Sequence, residues 1–205
     1  MPPTLDLPHP RHAPIEPAPI DVSPLRTALA ELHSPRRSRR DAAIDDVRAS
    51  PRSYPPPVLY ALAHALFARG EPDEALFWYH AGQLRAWFDV ERCADPTVAD
   101  VVERLRRQYG GPINGYAFVD AELDVLRTAV RRAVEWDRAT AHDYDHRWVN
   151  LHGVRAFAGP GPGVALSRPR AQWPGIAERV RADYLAGMHS VLQDLESWAP
   201  LGASA

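Results

Sequence analysis

Apolar residues recur at helical spacing through most of this chain. The two most continuous segments are VLYALAHALFARG and DEALFWYHAGQLRAWFD, separated by GEPD. In the second, Ala75, Tyr79, Gly82 and Ala86 share one helical face, while Phe77, Ala81, Leu84 and Phe88 lie on a nearly opposite one. A helix with two apolar faces is packed on both sides, which predicts the middle of a bundle. Gly82 lowers helix propensity, so its expected use is the close approach of a neighbouring helix.

The remaining segments extend the pattern. SPLRTALAELHS predicts a short helix, capped by Ser23 with Pro24 at the first helical position. SPRRSRRD reads as a solvated connector. DPTVADVVERLRRQYG is amphipathic, starting at Asp95 and Pro96 and ending at Gly110, after which GPINGY breaks the chain. DAELDVLRTAVRRAVEWDRAT predicts a helix capped near Asp120, with Leu126, Val130, Ala133 and Val134 inward and Asp137 close to that face. GPGPGVALSRPRAQWPG has the composition of a connector, and a last helix begins near Trp173. The reading is an all-α fold: a single irregular helical bundle of about six helices. It spans residues 23–199, after an extended or flexible proline-rich N-terminal arm at 1–22 and before a C-terminal tail at 200–205.

The central hairpin resembles that of tetratricopeptide and Sel1-like repeats, with Gly70 at the turn, Ala75 five positions later, and Tyr79 followed by Gly82. The resemblance covers about 30 residues and implies helix-on-helix packing. No second copy follows at the repeat spacing, so no peptide-binding groove is carried over.

Composition narrows the function classes. With 205 residues, 45% of them apolar, the chain suffices for one domain with a substantial core. A net charge of -2 lacks the basic excess expected for nucleic-acid binding, and Asp41, Asp45 and Asp46 dilute the arginines at 36–40. The single cysteine, Cys93, excludes a disulfide scaffold. Neither a signal-like start nor a run of about 18 apolar residues is present, so the expected location is cytoplasmic, without a membrane partner.

The densest polar chemistry is TAHDYDHRWVNLHG, residues 140–153. His142, His146 and His152 with Asp143 are donor types suited to zinc or iron, which would make a small metal-dependent hydrolase. A histidine oriented by Asp143 or Asp145, with Arg147 facing developing negative charge, would instead suit acid–base work. No nucleophile accompanies that set, and Ser167 lacks a nucleophile-elbow signature. The preferred reading is a structural latch of Asp137, Asp145, His146, Asn150 and His152. In it, Arg147 or His146 pairs with Asp137, and Trp136, Tyr144 and Trp148 supply apolar walls. His64 reads as a structural histidine within its helix, whereas His80 and His189 read as exposed.

No phosphate cradle, dinucleotide fingerprint or DNA-reading motif is present. The expectation is therefore a non-catalytic protein-interaction module without a cofactor, a bacterial adaptor or a toxin-neutralising, immunity-like protein acting by occlusion. Aromatic and arginine side chains anchor interfaces, so Trp78, Trp87, Tyr144, Arg147 and Trp148 are the candidate contacts for an unidentified protein partner. The sequence does not indicate an oligomeric state.

Overall fold

A computed structural model describes residues 19–120, 123–158 and 165–198. Those residues form α-helices and no β-strand, connected as an irregular bundle. The long helices are α1 (Ser23–Leu32), α2 (Arg37–Ala49), α3 (Pro56–Arg69), α4 (Pro72–Arg92), α5 (Val101–Gly115), α6 (Leu123–Ala139) and, after the four-residue α7 (Arg155–Ala158), α8 (Trp173–Trp198). The predicted N-terminal arm up to residue 18, the stretch 159–164 of the predicted connector and the tail from 199 lie outside the described residues.

Helix α4 is the centre. It packs against α3, α5, α6 and α8, and fifteen of its 21 residues are buried, as its two apolar faces predict. Helix α3 enters through prolines and ends at Gly70, whose φ of +89° makes the left-handed cap that other residues disfavour. Gly82 faces α3: a Cβ there would lie 3.1 Å from the Tyr60 ring and 3.4 Å from Leu59. The expected close approach is present, and Tyr60 fills the space.

Two expectations are corrected. The basic stretch is not a connector but the first turn of α2, because Ala43, Ile44 and Val47 recur at helical spacing and are buried. Helix α5 does not stop at Gly110 but continues through Pro112 to Gly115, followed by a π-helical turn over Tyr116–Asp120. Ile113 is fully buried and anchors that final turn, while Asn114 donates to the Tyr79 hydroxyl at 3.4 Å. Tertiary packing there outweighs the local preference of Gly and Pro to end a helix.

Candidate functional site

The segment after α6 wraps over the C-terminal half of α4, where three charged residues, Arg85, Asp89 and Arg92, follow one another at i, i+4 and i+7. All three are buried. Unpaired charges there would cost several kcal/mol each, on the order of the ion-desolvation penalty. Asp137 of α6 and the wrapping segment supply partners to Arg85 and Asp89, and Asp89 and Arg92 pair with each other.

Asp137 is the first junction. Arg85 Nε donates to its Oδ1 at 3.2 Å, His142 Nε2 donates to the same oxygen at 2.8 Å, and Arg181 Nε of α8 donates to Oδ2 at 2.8 Å. Burial alone raises the pKa of this carboxyl. The hydrogen bond and charge of His142, with Arg85 and Arg181, outweigh it and hold Asp137 at about 2. Arg85 also donates to the carbonyls of Thr140 and Ala141 at 3.1 and 3.3 Å and lies over the Trp136 ring at 4.1 Å. Asp137 thus joins α4, α6 and α8 through Arg85, His142 and Arg181, none of which belongs to the predicted latch. Neither Arg147 nor His146 reaches Asp137, because Arg147 pairs locally with Asp145 at 2.7 Å and His146 turns toward Ser167.

Asp89 is the second junction. Arg92 donates to its Oδ1 at 2.5 Å, Tyr144 donates to the same oxygen at 3.3 Å, and the Trp148 indole donates to Oδ2 at 2.6 Å. Asp145 caps the 3-10 turn His146–His152 by accepting from Arg147 N at 2.9 Å, which sets the angle at which Trp148 enters. Asn150 donates to Leu166 O at 3.0 Å and to Cys93 Sγ at 3.2 Å. His152 sits edge-on to Trp148. Burial raises the Cys93 thiol pKa, which leaves it a poor nucleophile.

His146 and Ser167 share a hydrogen bond of 2.7 Å, a contact that sequence spacing does not reveal. Burial, reinforced by the charge of Arg92, lowers the imidazole to about 4, so it is neutral at pH 7. The pair clasps residues 166–168 onto the end of α4, where Ala94 N donates to Leu166 O and Arg168 N donates to Arg92 O.

The residues suited to a metal do not converge. His142 is spent on Asp137, His146 on Ser167, and Asp143 on Arg52 at 2.9 Å, while His152 packs on Trp148. Among the described residues, no three His, Cys, Asp or Glu side chains come together as a ligand set.

Of the aromatic contact candidates, Trp78, Tyr144 and Trp148 are buried in the chain's own core, and only Trp87 is exposed, at 37%. Trp78 packs edge-on to Trp136, whereas Tyr144 and Trp148 complete the Asp89 junction. His80 is buried rather than exposed. Tyr184 of α8 covers it with a 2.6 Å hydrogen bond, and burial, aided by Arg106, lowers its pKa to about 3. His189 is exposed, and half-buried His64 packs against Tyr109.

Above His80 and Tyr184, a cleft of about 440 Å³ runs along α4 between Arg106 of α5 and α8. Trp87 and Gln83 line it from α4; Tyr184, Gly187 and Met188 line it from α8. Gly187 stands in the middle of a 26-residue helix, yet a Cβ added to it meets nothing within 4 Å among the described residues. Its helix-propensity penalty of about 1 kcal/mol is not offset by packing against any of the described residues.

Among the described residues no helix is long and apolar enough to cross a membrane. No family model matches the chain, and no curated protein or solved structure matches it, so the repeat-like pattern of the α3–α4 hairpin rests on its sequence positions alone.

Proposed function

We propose that this chain is a non-catalytic protein-interaction module that seats part of its partner in the cleft between α4, α5 and α8 and acts by covering that part. The observation that carries this reading is the pairing, in one cleft, of the exposed Trp87 with a helical glycine that none of the described residues approaches. An exposed tryptophan at a concave site supplies a large contact area, and a glycine lets a second backbone come close. The polar cluster at 137–152 supports the same reading from the other side, since its buried carboxylate, Asp137, is taken up by Arg85, His142 and Arg181, and its indole donor, Trp148, by Asp89.

The test is affinity capture from the source organism with three tagged forms of the chain: native, Trp87→Ala and Gly187→Trp. The tryptophan at 187 fills the cleft from a position where the fold leaves room for it. A partner held 1:1 by the native form and released by both variants supports the proposal. A partner held equally by all three, or none held by the native form, overturns it.

A further inference from the structure

The charges that line the cleft are unevenly used. Arg179 pairs with Glu91 at 3.2 Å across its α4–α8 end, and Arg106 pairs with Glu103 at 3.6 Å on α5. Asp183 lines the same cleft, is exposed, and has no cation of the chain within ion-pairing distance among the described residues. The floor hydroxyl is already committed, because Tyr184 bonds to His80 at 2.6 Å and donates to Gln83 Oε1 at 3.3 Å. Asp183 is therefore the charged side chain of the cleft without a direct ion pair among the described residues, set beside the apolar surface of Trp87, Val180, Met188 and Val191.

The shape of the cleft indicates what meets that charge. Val180, Tyr184, Gly187, Met188 and Val191 form a stripe of helical period along α8. The cleft-lining stretch from Arg179 to Val191 is about 18 Å long at the α-helical rise. Gly187 lowers the wall at the middle of that stripe. A groove between helices, with apolar positions at i, i+3, i+4 and i+7, is the complement of an amphipathic helix. The described residues offer no strand edge to which an extended peptide could add.

We propose, resting on the interaction reading above, that the occupant is an amphipathic helix of the partner. Its apolar stripe crosses α8 at Gly187 and carries one arginine or lysine that pairs with Asp183. Trp87 lines the same cleft, and an aromatic ring beside a carboxylate favours cations over neutral groups.

The experiment is a selection of displayed, alanine-based helical peptides of about sixteen residues, randomised along one face. The peptides are panned on the native chain after depletion on Gly187→Trp. Peptides that survive depletion should carry an arginine or lysine flanked at helical spacing by apolar residues. They should lose about tenfold in affinity on Asp183→Asn and switch to acidic residues when the panning is repeated on Asp183→Arg. Cleft-dependent peptides without a basic residue, or insensitive to Asp183→Asn, overturn this inference and leave the interaction reading standing. A panning that yields no peptide able to tell native from Gly187→Trp overturns the helix as occupant, and capture of a cleft-dependent partner then decides the interaction reading separately. A dimer in solution that Gly187→Trp breaks makes the occupant a second copy of this chain and likewise overturns it. Asp183 is exposed, so unchanged thermal unfolding of both Asp183 variants is the control for folding.

Discussion

Arg85 of the central helix donates to Asp137 of α6 at 3.2 Å, with side-chain exposures of 0% and 3%. Arg181 of α8 reaches the other carboxylate oxygen, so one carboxylate ties three helices together. Asp137→Ala strands two buried guanidinium groups and should cost about 3–5 kcal/mol, read from urea denaturation midpoints. A cost near that of a surface substitution would show that the junction contributes little.

Every one of the 24 basic side chains, leaving histidine aside, is an arginine. At position 85 that identity matters, because the fork serves Asp137 through Nε and two backbone carbonyls through Nη2. A lysine ammonium cannot reproduce this geometry. Arg85→Lys is therefore expected to destabilise nearly as much as Arg85→Ala. Recovery to within about 1 kcal/mol of native stability would refute the geometric argument.

Stability should fall with acid in two stages. His80 and His146 are held neutral in the fold, at about 3 and 4 against an ordinary value of 6.5. The unfolded chain binds the extra protons first, so stability declines as pH drops below 6.5. Asp137, at about 2 against 3.8, contributes fully above 3.8 and loses its contribution as pH falls through 2, a loss of about 2 kcal/mol. His146→Gln should flatten the decline between pH 6.5 and 4 in a series of denaturation curves. An unchanged slope would mean that this imidazole is not held neutral.

Two glycines on helices should respond in opposite directions to alanine. At Gly82 the new methyl presses on Tyr60 and Leu59, and the expected cost is about 1–3 kcal/mol. At Gly187 it meets open space, and the helix should gain about 0.5–1 kcal/mol. Thermal unfolding of the two variants side by side checks the pair, and destabilisation by Gly187→Ala would contradict the open cleft.

Trp148 presents its indole N–H to Asp89 at 2.6 Å while 2% exposed. Trp148→Phe keeps much of the apolar bulk and removes the donor, so about 1–3 kcal/mol should be lost. Urea denaturation gives the magnitude, and near-ultraviolet circular dichroism reports whether the packing around the ring survives.

Helical periodicity was enough to read the all-α class, the two-faced centre at 75–88 and the small-residue contact at Gly82. Those properties follow from the repeat of a helix, which a chain displays locally. That position 137 would need a partner was also legible, since Asp137 stands at the edge of an apolar face and is buried. Its partners were not. Arg85 and Arg181 lie 52 and 44 positions from Asp137, and a sequence does not state which distant cation meets a buried carboxylate. The stripe of Arg85, Asp89 and Arg92 at helical spacing on a helix with two apolar faces was the available signal. The continuation of α5 through Pro112, the burial of His80 beneath Tyr184 and the open space at Gly187 depend on which helices become neighbours. Packing between distant segments decides these, because burial and solvation belong to the assembled fold rather than to any one stretch of chain.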